Sequence, residues 1–151
     1  MPNFQDVMDL IKPEQVGRYW FRGHSPTPQP RIFGGQVLAQ CLLAANDTVD
    51  NTLIAHSMHA YFLRAGDSTI PIEFDVDPIR DGRSFATRRV VARQRGDAIF
   101  NTYISYQITE AGFTHSEKMP EVPSPEEAAA LNLGPKYKSF SDMYQIDRVR
   151  I

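Results

Sequence analysis

One cysteine in 151 residues excludes a disulfide framework and any cysteine-based metal site. Cys41 stands among apolar neighbours, where a small buried hydrophobe is its expected role rather than a reactive thiol. Excess charge of one sign is also missing. Sixteen Lys and Arg against eighteen Asp and Glu leave a net charge of −2, which gives no general reason to expect a nucleic-acid partner. No apolar run reaches the length of a membrane span, so no membrane insertion is expected. The opening residues MPNFQDVMDLIKPEQ are broken by Asp6, Asp9 and Glu14, which argues against a secretory signal. His56 and His59 lie three apart on a strand-like stretch, hence on opposite faces, and do not suit one metal ion. No metal or cofactor is expected, and a reducing, cytoplasmic location is the default.

What is present is organised around Gly34 to Thr48, GGQVLAQCLLAANDT. Val37, Leu38, Ala39, Cys41, Leu42, Leu43, Ala44 and Ala45 put apolar groups on nearly every side of a helix, which predicts burial all round. Such a helix would be roughly 22 Å long, too short to cross a bilayer. Gln36 and Gln40 are its interior polar residues and share one face at i, i+4. Gly34 and Gly35 let another backbone or a ligand approach the first-turn N–H groups.

Around it the periodicity changes. Phe4, Val7, Met8, Leu10 and Ile11 fall at helical spacing, so residues 1–18 read as an amphipathic helix, ended near Pro13, and a lead-in. Tyr19 to Arg22 suits a short strand, followed by a loop carrying Pro26, Pro28 and Pro30. Ile54 to Arg64 reads as a long strand with Ile54, His56, Met58, Ala60 and Phe62 on one face. Pro71 to Arg80, Ser84 to Arg95 and Ala98 to Thr109 follow as three antiparallel strands. Their turns are expected at Asp81-Gly82 and Gly96-Asp97. The fold class is α+β: an antiparallel sheet wrapped around one long buried α-helix, spanning residues 19–109. Residues 110–143 read as a linker, in which Ser124-Pro125-Glu126-Glu127 starts a short helix through Leu131, closed by Gly134-Pro135. Residues 144–151 alternate like the opening of a further strand, and the ending looks cut rather than finished.

Three strings carry a resemblance: RIFGGQVLAQ (31–40), HSMHAYFLRAGD (56–67) and IRDGRSFATRRVVARQ (79–94). In that order and spacing they resemble the type II acyl-CoA thioesterases, and EKMPEVPSPEE (117–127) is similar to the linker after that family's first half. The resemblance implies a hot-dog fold, an acyl-CoA substrate hydrolysed to free acid and CoA, and a second hot-dog module of which residues 144–151 are the truncated start. It also implies that the main catalytic Asp, Thr or Ser, and Gln belong to that second module. The residues agree: thioester hydrolysis needs a base or nucleophile beside oxyanion donors, and the start of the central helix carries no acid. No nucleophile elbow is present.

The candidate residues each have a plainer reading. Gly34, Gly35 and Gln36 would aim N–H groups at a carbonyl or phosphate, or else the glycines only admit the sheet. His56 would border an acyl pocket as a weak catalytic candidate, or be a core histidine. Asp67 reads as a turn residue rather than a base. Arg80, Arg83, Arg88, Arg89, Arg93 and Arg95 are six of sixteen basic residues. They suit the phosphates of CoA, with Arg83, Ser84 and Arg88 as the binding candidates, or form a solvated sheet face. Gln107 is the second weak catalytic candidate, a structural echo of the family's catalytic Gln. The competing function is a non-catalytic acyl-CoA-binding or dimerising module. A hydratase would pair an acid with a histidine near the helix, and that pair is not seen. A lone hot dog exposes a pairing surface, which predicts a homo-oligomer.

Overall fold

The computed structural model describes residues 4–25 and 31–130. Its elements run α1 (Phe4–Ile11), β1 (Glu14–Gly17), β2 (Trp20–Gly23), α2 (Gly34–Asn46), β3 (Leu53–Phe62), β4 (Ile72–Asp81), β5 (Phe85–Gln94), β6 (Asp97–Ile108) and α3 (Pro125–Ala130). Everything through β6 belongs to one compact unit that ends at Ala111, and α3 belongs to a second. Pro26, Pro28 and Pro30, the helix end expected at Leu131 to Pro135, and the strand expected at 144–151 lie outside the described residues.

The six strands form one antiparallel sheet in the order β1-β2-β4-β5-β6-β3. The expected meander is β4-β5-β6, and β3 folds back to the far side of β6. Its inner face carries Phe21, Phe74, Val76, Val90, Ala92, Phe100, Ile104 and Tyr106, all buried against α2. The helix answers with Val37, Cys41, Ala44 and Ala45, whose small side chains let its axis sit close to the sheet. This is the sheet-around-helix arrangement that the resemblance implies. Burial of α2 is one-sided, however. Leu38 and Leu42, which flank the core, and Ala39 and Leu43 on the far face are only half-buried, because one sheet covers one side of a helix.

Three local details depart from the periodicity. Glu14–Gly17 has little strand character, yet pairs with β2 as a short outer strand, so tertiary pairing overrides propensity. The β5–β6 turn is centred on Arg95 and Gly96, both with positive φ (51° and 85°), one residue earlier than expected. That left-handed pair is the two-residue hairpin geometry that matches strand twist. In β3, Ala55 pairs with Tyr106 and Ser57 with Ser105, leaving His56 as an extra bulged residue. The bulge changes which residues face inward: Leu53 and Ala55 pack on the core before it, Met58 and Ala60 after it. An uninterrupted alternation through His56 is therefore replaced by two half-strands of opposite phase, and His56 itself is exposed.

Polar residues on the inner face tie the ends of elements together. Arg88 is 1% exposed. Its Nε donates to Thr48 Oγ1 (2.8 Å), Nη1 to the Arg80 and Thr87 carbonyls (3.1 Å each), and Nη2 to the Thr48 carbonyl (2.8 Å) and Asp81 Oδ1 (2.6 Å). All five guanidinium N–H groups are thereby used. Gln94 does the same for the β3–β4 connection, donating to the Asp67 and Ile70 carbonyls and accepting from the Asp67 N–H. In the second unit, Ser124 and Glu127 bond each other's backbone N–H reciprocally, the capping box read from the sequence, and those bonds hold the Glu127 carboxyl below its usual range.

Arg88→Ala should lower unfolding stability in urea by about 2–4 kcal/mol, since several buried acceptors lose a charged donor at once. Arg88→Lys should not restore it, because an ammonium offers three donors without the planar fork.

Candidate functional site

The first turn of α2 is where backbone donors are unclaimed by the helix itself. Phe33 caps it in an extended conformation (φ −66°, ψ 126°) and supplies no side-chain cap bond. Aromatic rings lie over both glycines. A methyl group on Gly34 would sit 3.0 Å from the Phe62 ring, and one on Gly35 would strike the ring of Phe33. Phe62 also meets Phe100 edge-on at 4.8 Å. Beside this turn an open trough of about 390 Å³ is lined by Gly34, Val37, Phe62, Leu63, Ile99 and Phe100, with Arg31, Ile32, Arg64, Ala65 and Gly66 along its rim. Backbone bonds from Ile32 N to the Gly66 carbonyl (3.3 Å) and from Leu63 N to the Ile99 carbonyl (2.9 Å) hold its walls together.

Gln36 points away from the trough. It is buried, and its Nε2 donates to the His24 carbonyl and Ser25 Oγ, both at 3.1 Å. Gln40, fully buried, donates to the Leu10 carbonyl (2.9 Å) and the His24 carbonyl (3.3 Å), while its Oε1 has no partner. The i, i+4 pair thus fastens α1 and the end of β2 to α2. A methyl on Gly23 would lie 2.8 Å from the Gln40 amide, so this glycine admits the buried side chain.

The other candidates sit at the opposite end of the helix. Gln107 is half-buried, pairs with Ile54 and Phe85 across the sheet, and donates to Glu110 Oε2 at 3.1 Å. His56 occupies the bulge nearby. Arg83 and Ser84 form the β4–β5 turn, with Arg83 exposed and the Ser84 carbonyl accepting from Ile108 N at 3.1 Å. From Ile54 to Phe62 the strand covers on the order of 25 Å, so within one chain these residues and Gly34 do not converge. Arg88, enclosed between the sheet and the end of α2, has no donor left for a phosphate.

The remaining arginines divide. Arg89 and Arg93 stand opposite Asp77 and Glu73 on β4. Arg95 pairs with Asp67 at 3.2 Å. Asp67 accepts from the Thr69 hydroxyl and N–H, and those bonds, more than Arg95, hold its carboxyl below the ordinary range. It is the turn residue the sequence suggested. Burial pushes the Cys41 thiol well above its usual pKa and leaves it a packing group. Arg31, Arg64, Ile32 and Phe62 at the trough were not singled out in the sequence. Arg31 and Arg64 fall in the strings of resemblance, but nothing in their spacing marks them as neighbours.

Among the described residues no group of three His, Cys, Asp or Glu could hold a metal ion, and no helix is long and apolar enough to cross a membrane.

Residues 21–107 match the model of a family described as acyl-CoA thioesterase N-terminal domain. Over 129 residues the chain is 42% identical to acyl-CoA thioesterase 2 of Haemophilus influenzae, covering 85% of this chain and 45% of that protein. A solved tesB protein of Mycobacterium avium subs. paratuberculosis superposes with a TM-score of 0.75 at 39% identity, over 85% of this chain and 51% of the other. A hot-dog-fold protein of unknown function from Alicyclobacillus acidocaldarius gives a TM-score of 0.70 at 23% identity over 81% of this chain and 47% of the other, a likeness of fold alone. The chain spans less than half the length of the curated relatives it matches.

Gly23→Ala should lower stability by about 1–3 kcal/mol in thermal unfolding, because the enclosed Gln40 amide cannot yield. Gly34→Ala should stay within about 1 kcal/mol of the parent, as the gain in helix propensity offsets a displaced, mostly exposed ring.

Proposed function

The chain belongs to the acyl-CoA thioesterase N-terminal domain family, and from that premise we propose that it is the scaffold half of an acyl-CoA hydrolase. In this reading it supplies part of the acyl pocket, the oxyanion-side backbone at Gly34 and Gly35, and the edge on which a second hot-dog module pairs. The reaction is hydrolysis of a fatty acyl-CoA thioester to free acid and CoA. The carrying observation is β3. It is an edge strand of ten residues, LIAHSMHAYF, with no proline and no acidic or basic charge to blunt it.

Pairing on that edge explains the division of the candidate residues. Two modules joined antiparallel about the middle of β3 set Ile54 of one opposite Tyr61 of the other. The Gln107 and His56 end of each module then approaches the Gly34 end of its partner, as a twofold contact requires. Every composite site would combine backbone donors from one module with side chains from the other. Among the described residues no acidic side chain lines the trough, and in this reading the base belongs to the second module. A second copy of this chain can stand in for that module structurally without supplying the base. The same lack of an acid favours the alternative of a non-catalytic acyl-CoA-binding module. One buried cysteine supports a reducing, cytoplasmic setting.

Hydrolysis of a medium- and a long-chain acyl-CoA, followed as released thiol, should run about 10²–10⁴-fold slower for this chain than for a relative with both modules, the usual worth of general acid–base catalysis. Robust turnover by this chain alone refutes the scaffold reading, and loss of that turnover in His56→Ala or Gln107→Ala would identify the missing group. If acyl-CoA fails to raise the melting temperature, the binding alternative falls as well. Light scattering at micromolar concentration should report a dimer, and a monodisperse monomer would contradict pairing on β3.

A further inference from the structure

We propose that the outward face of the β3 edge binds a divalent transition-metal ion of the Zn²⁺, Ni²⁺ or Cu²⁺ class, held between His56 of one chain and His59 of a second copy paired on that edge. The bulge in β3 makes the site. Leu53 and Ala55 pack on the core before it, and Met58 and Ala60 after it, so Ile54, His56, Ser57, His59 and Tyr61 all face outward. Strict alternation would put the two histidines on opposite faces, which is the expectation from the sequence. The extra residue returns them to one face. His59 meets the Tyr61 ring edge-on at 4.9 Å, as two residues on the same side of a strand do. Both imidazoles are exposed.

The second ligand comes from the partner, and this step rests on the β3 pairing proposed above. Two copies overlapping along the whole of β3 set Ile54 opposite Tyr61, Ala55 opposite Ala60 and His56 opposite His59. Each of these pairs joins residues that face the same way, as an antiparallel ladder requires. Twofold symmetry repeats the histidine pair on the other side of the axis, which gives one ion for each chain. Directly opposite residues have Cβ atoms about 4.5–5.5 Å apart, within the span of two imidazoles converging on one ion. Within one chain His56 and His59 lie on the order of 10 Å apart along the strand, so the pair across the edge is the closer one. Imidazole nitrogens suit Zn²⁺, Ni²⁺ and Cu²⁺, whereas Mg²⁺ and Ca²⁺ take oxygen ligands. Two imidazoles leave the remaining coordination positions to water.

The test is calorimetric titration of the untagged 151-residue chain with zinc chloride, with magnesium chloride as the control, beside a dilution series in light scattering. One Zn²⁺ should bind per chain, and Mg²⁺ should not bind. At a hundred times its Kd, Zn²⁺ should tighten the dimer by about 10²-fold for each occupied site. His56→Gln and His59→Gln should each weaken Zn²⁺ by at least the roughly 10–100-fold that loss of an outer-shell partner costs a metal site. Both variants keep His24 and His115, which controls for binding to surface histidines in general. Mixing the two variants in equal amounts should recover about a quarter of the parent's sites, because half of the dimers then carry one intact pair each. A site within one chain would recover none. A dimer that binds no Zn²⁺ overturns this inference and leaves pairing on β3 standing, whereas a chain that stays monomeric with and without Zn²⁺ removes both. Equal Zn²⁺ affinity in parent and variants, or no recovery on mixing, also overturns the shared site.

Discussion

The sheet can wrap α2 because one stripe of that helix is small and the amide N–H groups of the two buried glutamines beside it are bonded. Cys41, Ala44 and Ala45 have no exposed surface and let the strands come close. Gln40 and Gln36, one and two turns before Ala44, would be costly at such positions without partners, since an unpaired buried amide loses its water and gains nothing. Each instead donates to backbone carbonyls that no strand or helix uses. Arg88 and Gln94 repeat the device from the sheet side. Polar groups on the inner face therefore do not interrupt the core; they close its ends and fix the loops from which the trough is made.

That closure is asymmetric, and the asymmetry frames the function. The face of α2 toward the sheet is covered, while Leu38, Leu42 and Leu43 remain half-exposed. The sheet has one blunt edge and one receptive edge. β1 is four residues long, bulged and polar, whereas β3 is ten residues long and uncharged. Both unfinished surfaces therefore call for a second body. Separation of the backbone donors at Gly34 from Gln107 and His56 is a further consequence of the same incompleteness, because one module places them at opposite ends of one strand.

Much of the fold was legible in the sequence because it rests on period and turn chemistry. The all-apolar helix between glycines and Asn46-Asp47, the Asp81-Gly82 turn and the capping box at Ser124 all signal locally. What was not legible depends on a single residue of register or on facing. An extra residue at His56 leaves the composition of β3 unchanged and yet exchanges its faces. In β5 the inward set is Ala86, Arg88, Val90, Ala92 and Gln94, and the outward set is Phe85, Thr87, Arg89, Val91 and Arg93. Both sets mix apolar and charged residues, so periodicity alone cannot say which arginine is enclosed.

The arginines show why a cluster in sequence is weak evidence for a cluster in space. Arg88, Arg89, Arg93 and Arg95 lie within eight positions, but alternation sends them to different surroundings, where Arg88 meets Asp81, Arg89 the Asn101 side chain, Arg93 the Gly96 carbonyl and Arg95 Asp67. Two of the four gain a carboxylate and two a neutral oxygen, so the run does not act as one patch of charge. Arg31 and Arg64 belong to different segments, and neither forms an ion pair among the described residues. They come together because Ile32 bonds the Gly66 backbone and brings the approach to α2 against the exit of β3. Which guanidinium groups lie side by side is therefore decided by the fold and not by their spacing in the sequence.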